Sequence, residues 1–198
     1  MSTIERPPVR HISDFLGSIQ IFSTAVNDLL AERLRKVSGT GITFSQVKLL
    51  KLIAMTEGHS ISDVAAYLGV SNAAASKAVD RMVRRGMLRR TEAESDRRAV
   101  ELSLTSEGRA VVDSYNVATQ EAMAELFGSL TPETLKEITR TLDQLSVAIF
   151  DRDSRGGDEV CFRCGIHFRE RCLLRQSRSR DCFYHQHKKK PTGGGSTE

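Results

Sequence analysis

The sequence predicts a mainly α-helical fold with one small β-hairpin, and three observations predict it. Apolar residues recur at helical spacing over most of residues 12–150. Within that span, residues 62–85 hold two short amphipathic stretches joined by Leu68-Gly69-Val70. Directly after them, Met87–Arg90 and Ala99–Leu104 alternate apolar and polar residues, the period of strands, around the polar loop Thr91–Arg98.

The elements follow in order. Residues 1–11 hold two prolines and read as an N-terminal arm. Ile12, Phe15, Ile19, Val26, Leu29 and Leu30 lie on one face of a long helix reaching about Leu34, which Ser38–Gly41 interrupts. Thr43-Phe44-Ser45-Gln46 has capping-box spacing, so a helix begins there, with Val47, Leu50, Ile53 and Ala54 inward. Ser62 is the expected cap of a short helix that buries Val64, Ala65 and Leu68 and stops at Gly69. Ser71 or Asn72 caps the next helix, with Ala75, Ala78, Val79 and Met82 inward and Gly86 at its close. After the hairpin, Thr105 caps a helix to about Phe127, and Thr131-Pro132-Glu133 opens a last one. Leu135, Ile138, Leu142, Leu145 and Ile149 repeat at alternating spacings of three and four, a seam that requires a partner helix.

Charge is unevenly placed. Residues 1–150 carry 18 Lys and Arg against 18 Asp and Glu, while residues 151–198 carry 11 against 7. The body is therefore neutral, and any polyanion must be met locally. Lys77 to Arg98 supplies that locality, with eight basic residues and four acidic ones. No apolar run reaches the roughly 18 residues of a membrane span, and the N-terminus lacks the apolar stretch of a secretory signal, so a cytoplasmic protein with no membrane partner is expected.

Short helix, glycine turn, second helix and basic hairpin, in that order, spell a winged helix-turn-helix, which implies double-stranded DNA as partner. The second helix would enter the major groove. Ser71, Asn72, Ala73, Ser76 and Lys77 are its candidate base- and phosphate-contacting residues, with Arg81, Arg84 and Arg85 placed for phosphate. At the hairpin tip, Arg97 and Arg98 are candidates for the minor groove, and Asp96 could hold one of them extended.

Leu68-Gly69-Val70-Ser71, the run Val79-Asp80-Arg81-Met82 leading into Arg85-Gly86-Met87-Leu88, and the wing Asp96–Thr105 followed by Glu107-Gly108-Arg109 carry a resemblance. Over residues 12–150 the chain resembles the MarR family of bacterial transcriptional regulators. The resemblance implies a MarR-type homodimer made by the first and last helices, a DNA-binding core at about 43–105, and a pseudo-palindromic operator. It makes Arg98 the minor-groove arginine and Asp96 its orienting acid. It also implies an aromatic or phenolic effector, for which Phe22, Phe44 and Tyr67 are candidate pocket residues. The alanine run Ala73-Ala74-Ala75 departs from the usual start of the recognition helix.

Residues 151–187 depart from that pattern. All four cysteines lie there (Cys161, Cys164, Cys172 and Cys182), with His167, His185 and His187 among them. In a reducing compartment such crowding argues for metal rather than disulfides. An iron–sulfur cluster would take all four thiolates. A structural Zn2+ could take the same four, or use His185 with Cys161, Cys164 and Cys182. The arginines between them would offset thiolate charge. Residues 188–198, rich in lysine and glycine, read as a disordered tail.

The expectation is thus a DNA-binding repressor acting as a homodimer. Its DNA affinity would be set by a cysteine-ligated metal site that senses redox state, oxygen or iron by moving the last helix. Two alternatives stand beside it. One is the same regulator with a structural zinc tail and a small-molecule effector, and the other is a winged-helix redox protein. The sequence holds no nucleophilic triad, phosphate loop or dinucleotide fingerprint, so an enzyme is not expected.

Overall fold

The computed structural model describes residues 8–37, 41–56, 59–93, 96–152, 160–178 and 181–188; the side chains of residues 37, 92–93, 96–100, 151 and 178 are outside the description. The arm at residues 1–7 and the tail beyond residue 188 therefore lie outside the described residues. The described order is α1 (Val9–Val37), α2 (Phe44–Met55), α3 (Ile61–Leu68), α4 (Asn72–Arg84), β1 (Leu88–Ala93), β2 (Asp96–Leu104), α5 (Ser106–Phe127), α6 (Pro132–Arg152), α7 (Leu173–Arg178) and α8 (Phe183–His187). The fold class is the expected one, mainly helical with a two-stranded antiparallel hairpin.

Local chemistry sets the boundaries. Thr43 accepts from Gln46 N, and the Gln46 side chain accepts in return from Thr43 N, the capping box read from the sequence. At α3 the cap is Ser60 rather than Ser62. Ser60 pairs reciprocally with Asp63, which offers a carboxylate to the exposed N-terminal amides where Ser62 has none to offer at that spacing. Gly69 and Gly86 both stand at φ +70, the left-handed geometry that stops α3 and turns the chain after α4.

The core is built on α2. Val47, Leu49, Leu50, Leu52 and Ile53 are all fully buried, so the helix is enclosed on more than the single face that Val47, Leu50 and Ile53 suggested. Val64 of α3, Val79 and Met82 of α4, Leu88 and Leu102 of the hairpin, and Val112 and Tyr115 of α5 close around it. Gly108, in the first turn of α5, lies so near the Met87 backbone that a Cβ there would overlap the Met87 carbonyl oxygen. That close approach seats α5 against the base of the wing. Thr105 secures the same junction: its hydroxyl donates to Gly86 O at 2.6 Å and accepts from Gly108 N at 3.1 Å.

Two helices leave apolar residues exposed among the described residues. On α6 the seam residues Ile138, Leu142, Leu145 and Ile149 are exposed, Ile149 by 65%. On α1, Ile12, Phe15, Leu16, Ile19 and Phe22 are exposed, and Leu30 and Leu34 alone of its apolar face are buried.

The segment after residue 160 is not a loose appendage. Phe183 and Ile166 belong to the main core, and Phe162 and Phe168 pack against it.

Candidate functional site: a winged-helix face and a four-cysteine cavity

The first site is the outer face of α4 with the hairpin beside it. Ser71 caps α4, its hydroxyl accepting from Ala74 N at 3.3 Å. Asn72, Ala73, Lys77, Arg81 and Arg84 are exposed and Ser76 half-buried, while Ala75, Val79 and Met82 face the core. The helix thus presents a polar and basic surface over its length, and the alanines at its start leave the backbone open to close approach. Arg85 differs from the phosphate-facing role its sequence position suggested. Its guanidinium reaches back to Gly41 O and Gln46 Oε1, both at 3.4 Å, because the helix ends there and the side chain turns toward the α2 cap.

The hairpin pairs Leu88 with Leu104 and Arg90 with Leu102, and its ladder shifts between Glu92 and Ala93. Both strands are longer than the alternation predicted. Asp96, Arg97 and Arg98 stand in β2 rather than in a loop, because ladder bonds extend past the last apolar residues. The side chains of Asp96, Arg97 and Arg98 lie outside the described residues, so the expected grip of Asp96 on an arginine does too. A contact not read from the sequence joins the two parts: Arg90 Nη1 sits 3.3 Å from Asp80 Oδ1. Both side chains are about two-fifths exposed, so the pair contributes roughly 0–1 kcal/mol and chiefly orients the wing against α4. A charged residue on each of two adjoining elements was the only signal for it.

The second site is the cysteine segment. Cys161 and Cys182 face each other across a parallel bridge, with Cys161 N donating to Asp181 O at 2.8 Å. Gly165, at φ +56, closes the turn after Cys164. Cys172 stands just before α7, and its carbonyl accepts from Gln176 N. All four cysteines, each half-buried and free of disulfide, line one cavity of about 530 Å3. Asp143, Ser146 and Phe150 of α6 line it too, and Arg163, Arg169, Arg175, His167 and Leu174 complete the lining. His185 is not part of it. Burial pushes the Cys164 thiol up to about 11, and the Cys182 and Cys161 sulfurs nearby add to the rise. Among the described residues, no group of three Cys, His, Asp or Glu side chains is arranged to hold a single metal ion.

The segment touches both α6 and the helix-turn-helix. Arg169 donates to both carboxylate oxygens of Asp143, and Arg163 lies 3.9 Å from the Phe150 ring centre. On its other side, Tyr67 of α3 meets Phe162 edge-on at 5.9 Å and Phe168 in a stack at 6.2 Å. Phe183 packs against His59 and Phe162, and Lys188 bridges to Thr56 at the end of α2. Thr56 donates its one hydroxyl proton to Leu52 O at 2.7 Å, so at 2.6 Å it accepts from His59 Nε2. The sequence suggested attachment to the last helix alone. Aromatic contacts from 162 to α3 were illegible because they cross about a hundred residues of chain.

The candidate effector residues are not gathered into one pocket. Tyr67 is covered by the cysteine segment, Phe22 pairs edge-on with Phe127, and Phe44 packs at the start of α2. A separate cavity of about 310 Å3 opens between α2, α5 and the cysteine segment, lined by Lys51, Val112, Asn116, Ile166 and Phe168 among others.

Residues 40–99, from the α2 cap through the wing, match the model of the MarR family. Over that stretch the chain is similar to MarR-family winged helices. Over 119 residues it is 29% identical to the transcriptional repressor MprA of Escherichia coli, covering 58% of this chain and 68% of MprA. Over 137 residues it is 25% identical to the transcriptional repressor MdtR of Bacillus subtilis, covering 69% of this chain and 86% of that one. Among solved structures, a MarR family transcription regulator superposes with a TM-score of 0.64 at 16% identity, covering 75% of this chain and 98% of its own. A mutant of Escherichia coli MarR complexed with operator DNA superposes with a TM-score of 0.54 at 24% identity, covering 71% and 99%. Of these relatives, MprA and MdtR are both transcriptional repressors. Among the described residues no helix is long and apolar enough to cross a membrane.

Proposed function

We propose that this MarR-type chain is a DNA-binding transcriptional repressor that acts as a homodimer on a pseudo-palindromic operator. The observation that carries the reading is the outer face of α4. Asn72, Lys77, Arg81 and Arg84 lie exposed along one helix, with a basic hairpin held beside it by Asp80 and Arg90. Asn72, Ser76 and Lys77 at the helix start reach base edges and phosphates, Arg81 and Arg84 meet phosphate, and Arg97 or Arg98 enters the adjoining minor groove. The repressors MprA and MdtR support the direction of control. The exposed apolar faces of α1 and α6 supply the dimer interface, since a lone chain would leave both seams in water.

The second part of the reading is modulation. The four cysteines hold a metal centre whose state, set by redox conditions, oxygen or iron, alters DNA affinity. The contacts of the cysteine segment with both α6 and α3 support this, since they connect the centre to the dimer helix and to the helix-turn-helix. Titrating labelled operator DNA at several salt concentrations tests the first part. Affinity should fall steeply with salt, because each phosphate contact releases counterions. Binding that is salt-independent, or absent on promoter DNA flanking the gene, would remove the reading.

A further inference from the structure

The cavity between α6 and the cysteine segment has features that a purely structural turn does not explain. Its four thiols arrive from separate pieces of chain: Cys161 and Cys164 from one turn, Cys172 from the start of α7, and Cys182 from the start of α8. Three guanidinium-bearing side chains, Arg163, Arg169 and Arg175, line the same space. The Nε of Arg175 is buried and has no hydrogen-bond partner among the described residues. A buried donor left unmade costs about 1–3 kcal/mol, so an acceptor inside the cavity is called for. Thiolates and the sulfides of a cluster are such acceptors, and both are anionic.

We propose that this cavity is the site of a four-iron iron–sulfur cluster ligated by Cys161, Cys164, Cys172 and Cys182, and that the cluster holds the segment's aromatic face on α3. The proposal rests on the modulation reading above and names its cofactor and its route. A single zinc ion draws its ligands to a common point, with sulfur at about 2.3 Å. The four cysteines line a volume of about 530 Å3. A cluster suits that arrangement because each thiolate binds a different iron, so the ligands stand farther apart. His185 lies off the cavity, and the four cysteines that line it supply one thiolate for each of four irons. The guanidiniums offset the negative charge of four thiolates around a cluster core.

The route follows from size. Helix α7 has six residues and α8 five, far below the length at which a helix persists in water. Their order depends on what they surround and what they pack on. The thiolates cross-link the two helices and the turn at Cys161–Cys164, and the same pieces carry Phe162, Phe168 and Phe183 onto Tyr67 and His59. Loss of the cluster therefore uncovers α3, the helix that positions the recognition helix behind the Gly69 turn.

The test uses the full chain, purified without oxygen. Iron, acid-labile sulfide and zinc are assayed, and the Mössbauer spectrum is recorded after loading with iron and sulfide. About four irons and four sulfides per chain are expected, as for a cluster on four cysteines. Zinc alone, iron without sulfide, or a metal-free protein that refuses loading would overturn the proposal. Hydrogen exchange of the amides in 61–68 is then compared before and after anaerobic chelation. Faster exchange there, with α5 unchanged, is expected, and equal exchange in both states overturns the route through α3. Chelation of the native chain is preferred because Cys164→Ser could misfold on its own; that variant should lose the cluster while retaining the dimer mass. Operator binding is read apart from these. A chain that binds DNA without ever taking a cluster sinks this site and leaves the repressor reading standing, and a cluster-loaded chain that never binds DNA does the reverse.

Discussion

Arg169 and Asp143 are 26 residues apart in sequence and joined by two parallel hydrogen bonds of 2.6 and 2.8 Å, which fasten the cysteine segment to α6. The Asp143 carboxylate is 19% exposed and the guanidinium 40%, so solvent screens the pair only in part. Planar two-point pairing fixes angle as well as distance. The pair sets how the cavity wall on α6 meets the wall that carries the cysteines.

Replacing Arg169 by alanine should therefore loosen residues 160–178 while leaving the winged helix intact. A double-mutant cycle with Asp143→Asn is expected to give a coupling of about 1 kcal/mol, since partial exposure discounts the charge-assisted value. Chemical unfolding monitored with a probe in the cysteine segment would check it. Additive effects would show that the two side chains do not support each other.

Gly108→Ala should destabilise the wing junction by about 1–3 kcal/mol, the usual range for forcing a methyl group into packed structure. The obstacle is the Met87 backbone, which cannot swing aside as a side chain could. Urea denaturation should show a lower midpoint with unchanged slope, and wild-type stability would refute the close approach.

Thr105→Val keeps the volume and removes the hydroxyl that serves both Gly86 O and Gly108 N. Loss of a helix cap costs about 0.5–2 kcal/mol, and the Gly86 carbonyl loses its hydroxyl donor as well. The melting temperature should fall, and operator affinity should fall with it because the wing base is no longer tied to α5.

Lys77→Ala and Arg81→Ala should each weaken operator binding and reduce the salt slope by about one phosphate contact. Arg98→Ala should weaken binding at its minor-groove position and relax preference there, with little change in stability. Fluorescence anisotropy on matched DNA duplexes separates these outcomes. Full affinity in all three variants would place the DNA surface elsewhere.

Much of the winged helix was legible because its signals are local. Thr43, Ser71, Thr105 and Thr131 cap where their side chains reach an amide three residues on, and Gly69 and Gly86 stop helices through their own left-handed backbones. The shift of one cap from Ser62 to Ser60 shows the limit of such reading. Both serines are equivalent by type, and the choice falls to the one whose third neighbour, Asp63, can answer it. The wing strands were shortened for a related reason, since alternation marks the half-buried part of a strand and backbone pairing carries it further.

What the sequence determined by itself was the helix order, the turn chemistry, the basic run from Lys77 to Arg98 and the gathering of every cysteine into one stretch. These depend on residues within a few positions of one another. Only the tertiary structure decided that the four cysteines ring a cavity walled by α6, and that Phe162, Phe168 and Phe183 lie on Tyr67 and His59. It also decided that Arg85 turns to the α2 cap rather than outward. Such contacts join chain segments far apart in sequence, and their partners are selected by burial and shape in the folded molecule, which no local pattern encodes.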